Sequence, residues 1–136
     1  MKKIIFLDFD GVLNTEYNQN LLMYHGKSWK DKYGAFFDLE TVAELKRIVE
    51  ETNADIVIES SWKYLGRDEM NLAHTQWKGV EIASWIADNL QDEGRYVIID
   101  DEYVIQDSQQ PHFILTNLYD GITADLGNRA IKILNG

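Results

Sequence analysis

The chain has no cysteine, which excludes disulfides and thiolate metal sites and is compatible with a reducing cytosol. It has no apolar stretch approaching the length of a membrane span. The opening Met1-Lys2-Lys3-Ile4-Ile5-Phe6-Leu7 begins like a signal peptide, but Asp8 interrupts the apolar run far too early. These absences predict a cytoplasmic protein without a membrane partner. Basic residues are few: 13 Lys and Arg against 23 Asp and Glu leave a net charge of −10. Such a surface repels nucleic acid and anionic membranes at long range, so general binding to a phosphate backbone is disfavoured. Internal repeats of structural length and low-complexity segments are absent as well.

What is there is ordinary for a globular protein: 136 residues, 45% apolar and 26% charged, enough for a single domain over 1–136 with one core. Ile4-Ile5-Phe6-Leu7 reads as a strand buried on both faces, as in the middle of a parallel sheet. Residues 14–37 lack clean periodicity and are rich in aromatics, with Lys27, Lys30 and Lys32 making Tyr24 to Tyr33 locally basic. A long loop here is expected to act as a flap or mini-cap over a site. Asp38 is a candidate N-cap for a helix over about 39–52, apolar at Leu39, Val42, Leu45, Ile48 and Val49 and ended by Asn53. Ala54 to Ile58 is a second short buried strand, ending at Glu59-Ser60-Ser61-Trp62. A short helix is expected to include Asp68 to Leu72, and a clearer one comes after Gly79, over about 80–92. Tyr96 to Ile99 is a third strand running into Asp100-Asp101, and residues 102–111 form a polar loop holding the only proline. His112 to Leu115 is a fourth strand, Asp120-Gly121 a turn, and a last helix runs from Thr123 or Ala124 to about Leu134. Strands alternating with helices predict an α/β fold: a Rossmann-like parallel sheet of about four strands, helices on both faces, no large cap domain.

In open parallel sheets ligands sit outside the carboxyl ends of the strands. There the chain places Asp8 and Asp10 after the first strand, Ser60 and Ser61 after the second, and Asp100 and Asp101 after the third. Asp8 and Asp10 stand at alternate positions, so both should project to one side and repel. A divalent cation is the simplest compensation. Gly11 lets the chain turn sharply after them. A calcium loop of EF-hand type is excluded, since Val12-Leu13-Asn14 does not supply its further ligands. Acids and hydroxyls converging from three strand ends suit phosphoryl transfer. A phosphate and an attacking carboxylate repel by about 4 kcal/mol at ~4 Å and an effective dielectric of ~20, which Mg²⁺ held by carboxylates and water offsets.

Asp8-Phe9-Asp10-Gly11-Val12-Leu13 resembles motif I of the haloacid dehalogenase superfamily of aspartate-nucleophile phosphohydrolases. The resemblance implies Asp8 as nucleophile and Asp10 as general acid/base, with the Asp10 backbone carbonyl and the Asp8, Asp100 and Asp101 carboxylates as Mg²⁺ ligands. It implies a motif II hydroxyl at Ser60 or Ser61, with Ser60 preferred, and a phosphate-side cation at Lys78 or Lys63, with Lys78 preferred. Gly11, Ser61 and Lys63 would then border the phosphate. Ser60-Ser61-Trp62-Lys63, Glu81-Ile82 with Trp85-Ile86, Tyr96 to Asp101, and Thr116 with Gly121-Ile122 are similar to the small dehalogenase-type domains associated with RNA-repair proteins. That group typically carries Arg where this chain has Lys63 and Lys78; lysine supplies compact charge without a bidentate fork. The implied activity is a Mg²⁺-dependent phosphatase acting through an aspartyl-phosphate. Its partner would be a phosphorylated small molecule, a nucleotide or a polynucleotide end. A receiver-like phosphoacceptor and a catalytically silent binding domain of the same fold are the alternatives. His25, His74 and His112 have no ligand spacing; His25 could line the flap, and the other two read as structural or exposed.

Overall fold

The computed structural model describes residues 1–32, 34–59, 74–90 and 94–136, the side chains of 74–77 excepted. Four strands form one parallel sheet: β1 (Lys3–Leu7), β4 (Asp55–Ile58), β5 (Arg95–Asp100) and β6 (Phe113–Leu115), in the order β4-β1-β5-β6. The next strand of this sheet after β1 lies on one side of it, and the last two lie on the other. The connections therefore diverge between β1 and β5, the switch point where a crevice opens at the carboxyl ends of such strands.

Strict alternation along β1 builds the core on both faces. Ile5 and Leu7, with Val97, Ile99 and Ile114, pack against Ile48 of helix α2 (Leu39–Thr52) and against Ala130 and Leu134 of helix α4 (Ala124–Asn135). Ile4 and Phe6, with Ile98 and Phe113, pack against Ile82 of helix α3 (His74–Asn89) and against Leu90. Phe6 meets Trp85 and Tyr96 edge-on, at centroid distances of 5.5 and 5.9 Å. The α2 boundaries obey the expected chemistry: Asp38 accepts from the Glu40 N–H, and Asn53 ends the helix in the left-handed region at φ 58°.

Four expectations need correction. The stretch 14–37 is not a loop throughout, but holds helix α1 (Glu16–Tyr24) and a small hairpin of β2 (Lys30–Asp31) and β3 (Gly34–Ala35). No residue of α1 is buried, so it has no apolar stripe for a periodicity argument to find; its cap, Thr15 accepting from the Asn18 N–H, was the available signal. The second strand, β4, is not buried: it is a sheet edge, and Ile56 and Ile58 stay 40% and 39% exposed. Helix α3 begins at His74, not after Gly79, and the latter lies inside it. His112 closes a 3₁₀ turn (Asp107–His112) within the expected polar loop, rather than opening β6. Its Nδ1 lies 3.0 Å from the Tyr96 carbonyl and its ring stacks on Tyr96, a structural role. His25 is the exposed C-cap of α1, the side chain of His74 is outside the described residues, and so is the expected helix at Asp68 to Leu72.

Candidate active site

The crevice between β1 and β5 is walled by the turn that leaves β1. Val12 and Leu13 both donate their N–H to the Phe9 carbonyl, while the Gly11 N–H donates to the Asn14 carbonyl and to Asn14 Oδ1. Gly11 adopts φ 73°, and a Cβ there would stand 2.5 Å from Asp101 Oδ2. The glycine is thus required twice, for its backbone and for the space that the Asp101 carboxylate occupies. Thr116, at the end of β6, ties the turn to β5: its N–H donates to the Asp100 carbonyl at 2.9 Å, and its hydroxyl donates to the Gly11 carbonyl at 2.6 Å.

Asp8 extends the β1–β5 ladder by one residue, its N–H donating to the Ile99 carbonyl, and its side chain is buried. Asp8, Asp100 and Asp101 each offer a carboxylate oxygen within 4.8 Å of the others. Lys78 enters from α3. It stands one turn before Ile82 on the same face of that helix, so the stripe that packs on the sheet ends in a lysine at the crevice. Its Nζ donates to Asp100 Oδ2 at 2.8 Å and lies 3.6 Å from Asp8 Oδ1; the side chain is 2% exposed. Asp100 Oδ1 accepts from the Glu102 N–H.

One lysine cannot balance three acids. Burial, then the charge of Asp100, push Asp8 up from 3.8 to about 6, against the pull of Lys78. Burial, then Asp100 by charge and hydrogen bond, push Asp101 up to about 7. Burial alone would lower Lys78, but Asp100 and Asp8 outweigh it and the net shift is upward, so the ammonium stays charged. Asp8 Oδ1 is buried and accepts no hydrogen bond. Crowded hard-oxygen donors and an orphaned carboxylate oxygen fit a small divalent cation such as Mg²⁺. The linkage gives a test. Both carboxyls bind protons more tightly folded than unfolded, so the stability they lend the metal-free protein is complete below pH about 4 and fades as pH rises through 6 to 7. Thermal melts should show a melting temperature that falls from pH 5 to pH 8 without metal. Mg²⁺ should raise it by several degrees at pH 8 and by much less at pH 5.

Asp10 is not a fourth member of this cluster. It lies beyond the strand and is exposed, and its Oδ1 accepts from Asn14 Nδ2 at 2.7 Å. The two acids are therefore unlike in place: one is buried beside the lysine, and the other sits at the solvent edge on an amide. Asn14 escaped sequence reasoning. Because the Gly11 N–H takes its Oδ1, its NH₂ must face Asp10. Only its place four residues after Asp10, in the same turn, could have signalled this. Of the other expected site residues, Gly11 borders the cluster, whereas Ser60, Ser61 and Lys63 lie outside the described residues; Glu59, just before them, is buried, with its N–H on the Leu7 carbonyl.

Against known proteins, the chain matches one family model, described as the HAD domain in Swiss Army Knife RNA repair proteins, over residues 4–74 and 64–126. Neither a curated protein nor a solved structure matches it. The family match covers most of the chain and agrees with the parallel α/β sheet. The chain belongs to the family of HAD domains found in Swiss Army Knife RNA repair proteins.

Proposed function

We propose that the chain is a Mg²⁺-dependent phosphohydrolase that cleaves a phosphomonoester through a phosphorylated Asp8. The observation that carries this reading is the buried Asp8 standing with Asp100, Asp101 and Lys78 at the crevice of the sheet. The Asp8, Asp100 and Asp101 carboxylates, with the Asp10 carbonyl that the family resemblance implies, would hold Mg²⁺. The ion would offset the repulsion between nucleophile and phosphate.

The protein's own residues then divide the chemistry. An Asp8 carboxylate oxygen forms a bond to phosphorus as the bond from phosphorus to the leaving oxygen breaks. Asp10, at the solvent edge, gives its proton to that oxygen. Now ionised, it accepts a proton from a water whose oxygen attacks the phosphorus. The Asp8–phosphorus bond breaks and inorganic phosphate leaves. Lys78 holds Asp100 in place and keeps Asp8 available as an anion, since its charge opposes the burial and the neighbouring carboxylates that raise the Asp8 pKa. Ser60 is the preferred hydroxyl donor to the phosphate, with Ser61 next; Lys63 is the alternative phosphate-side cation. The family's setting in RNA repair proteins favours a nucleotide or a polynucleotide end as substrate.

The test is phosphate release from an aryl phosphate. Release should require Mg²⁺, stop in EDTA and return when Mg²⁺ is restored in excess, and acid-quenched protein should carry phosphate on Asp8. Release that proceeds equally in EDTA would rule the mechanism out. A phosphorylated Asp8 that accumulates without turnover would favour the phosphoacceptor reading instead.

A further inference from the structure

A groove of about 240 Å³ opens beside Asp10 and Gly11, walled by Asn14, by Glu16 and Gln19 at the start of α1, by Ala35 of β3, and by Leu118 after β6. None of the clustered carboxylates Asp8, Asp100 and Asp101 lines it. On the phosphohydrolase reading, on which this inference rests, the leaving oxygen must reach Asp10. The alcohol half of the substrate therefore lies in this groove. The volume falls below the roughly 300–1,000 Å³ of sites for drug-sized ligands, so a single ring-sized group fills it.

The polar side chains around the groove differ in what they have left to offer. The Asn14 amide is engaged by Gly11 and Asp10, and the Thr15 hydroxyl by Asp38 and the Asn18 N–H. Glu16 and Gln19 have no hydrogen-bond or ion-pair partner for their side chains among the described residues. Three apart on α1, they share one face. A carboxylate only accepts, whereas an amide both donates and accepts; together they suit hydroxyl groups. Charge points the same way. Among the described residues, the lining holds two carboxylates, Asp10 and Glu16, and no lysine, arginine or histidine. Lys30 shares the hairpin face of Ala35, but its Nζ rests 4.8 Å over the Trp29 ring and it is not part of the lining.

We propose that Glu16 and Gln19 form a leaving-group subsite that takes the hydroxyls of an uncharged sugar or polyol and turns away a second phosphate. A nucleoside monophosphate meets this description. A polynucleotide end does not, because its next phosphodiester lies one ribose away.

The experiment compares four substrates at saturating Mg²⁺: an aryl phosphate, a nucleoside 5′-monophosphate, its 2′,3′-dideoxy analogue and its 3′,5′-bisphosphate. The monophosphate should exceed both the dideoxy analogue and the bisphosphate by about tenfold or more in kcat/KM, counting release of either phosphate. Glu16→Gln keeps the size and removes the charge; it should narrow the gap to the bisphosphate by about five- to tenfold. Glu16→Ala with Gln19→Ala should erase the gap to the dideoxy analogue. A bisphosphate cleaved as well as the monophosphate, or a ratio that Glu16→Gln leaves unmoved, would overturn the subsite while aryl phosphate turnover upholds the phosphohydrolase. Loss of turnover on all four substrates in the unmodified protein would overturn both. Glu16 is exposed in the first turn of a helix, so its variants are expected to fold, which circular dichroism checks.

Discussion

Replacing Asp8 by asparagine should reduce phosphate release by at least about 10⁴-fold, the scale seen when a covalent nucleophile is removed. Asparagine keeps the shape and the backbone pairing to Ile99, but it offers no anionic oxygen to phosphorus. The variant should not be unfolded. It removes a buried charge that lies against Asp100, so metal-free Asp8→Asn at pH 8 should melt at or above the temperature of the parent. Full activity in Asp8→Asn would show that the nucleophile lies elsewhere. Activity lost together with a collapsed melting temperature would mean that Asp8 is structural. Asp10→Asn separates the two half-reactions. An aryl leaving group needs little protonation, so phosphorylated protein should form and then persist, with turnover down by about 10²–10⁴-fold.

Lys78→Met should be the most damaging substitution for stability. The lysine is one of the largest fully buried side chains and the only described cation that bridges Asp100 and Asp8. Methionine preserves much of its length but leaves carboxylates buried without compensation. Breaking a buried pair from one side costs about 3–5 kcal/mol, a large fraction of the roughly 5–15 kcal/mol that holds a domain together. The loss should be greatest without metal at pH 8, where the acids are ionised, and smaller at pH 5, where Asp8 and Asp101 take up protons. Mg²⁺ should recover part of it. Urea unfolding of both proteins, at both pH values and with and without Mg²⁺, measures each of these differences. A cost under about 1 kcal/mol in metal-free protein at pH 8 would show that the lysine does not carry the charge balance assigned to it.

Much of this site was legible in the chain because parallel sheets convert sequence into position. A strand apolar on both faces belongs in the middle, and the residues just past the ends of such strands gather at one edge. Asp8, Asp100 and Asp101 can be placed by that reasoning alone, and the α2 limits by Asp38 and Asn53. Three of the four misreadings, those of α1, of β4 and of the start of α3, have a common physical cause. Helix α1 buries nothing, β4 is an edge, and Lys78 replaces an apolar residue at the end of a buried stripe. In each case the pattern that a sequence argument reads, apolar residues at a fixed period, is missing or interrupted by a requirement that comes from outside the element.

The amino-acid order alone determined the class of fold, the central place of β1 and the set of acids at its crevice. Those depend on local hydrophobicity and on the direction of the chain at each strand end. The tertiary structure decided which acids stand together. Asp8 and Asp10 are two residues apart in the chain, yet one joins carboxylates from β5 and a lysine from α3 while the other turns to Asn14 and the groove. Burial and the charges of distant residues set that difference. Both are properties of packing, absent from any stretch of chain taken alone.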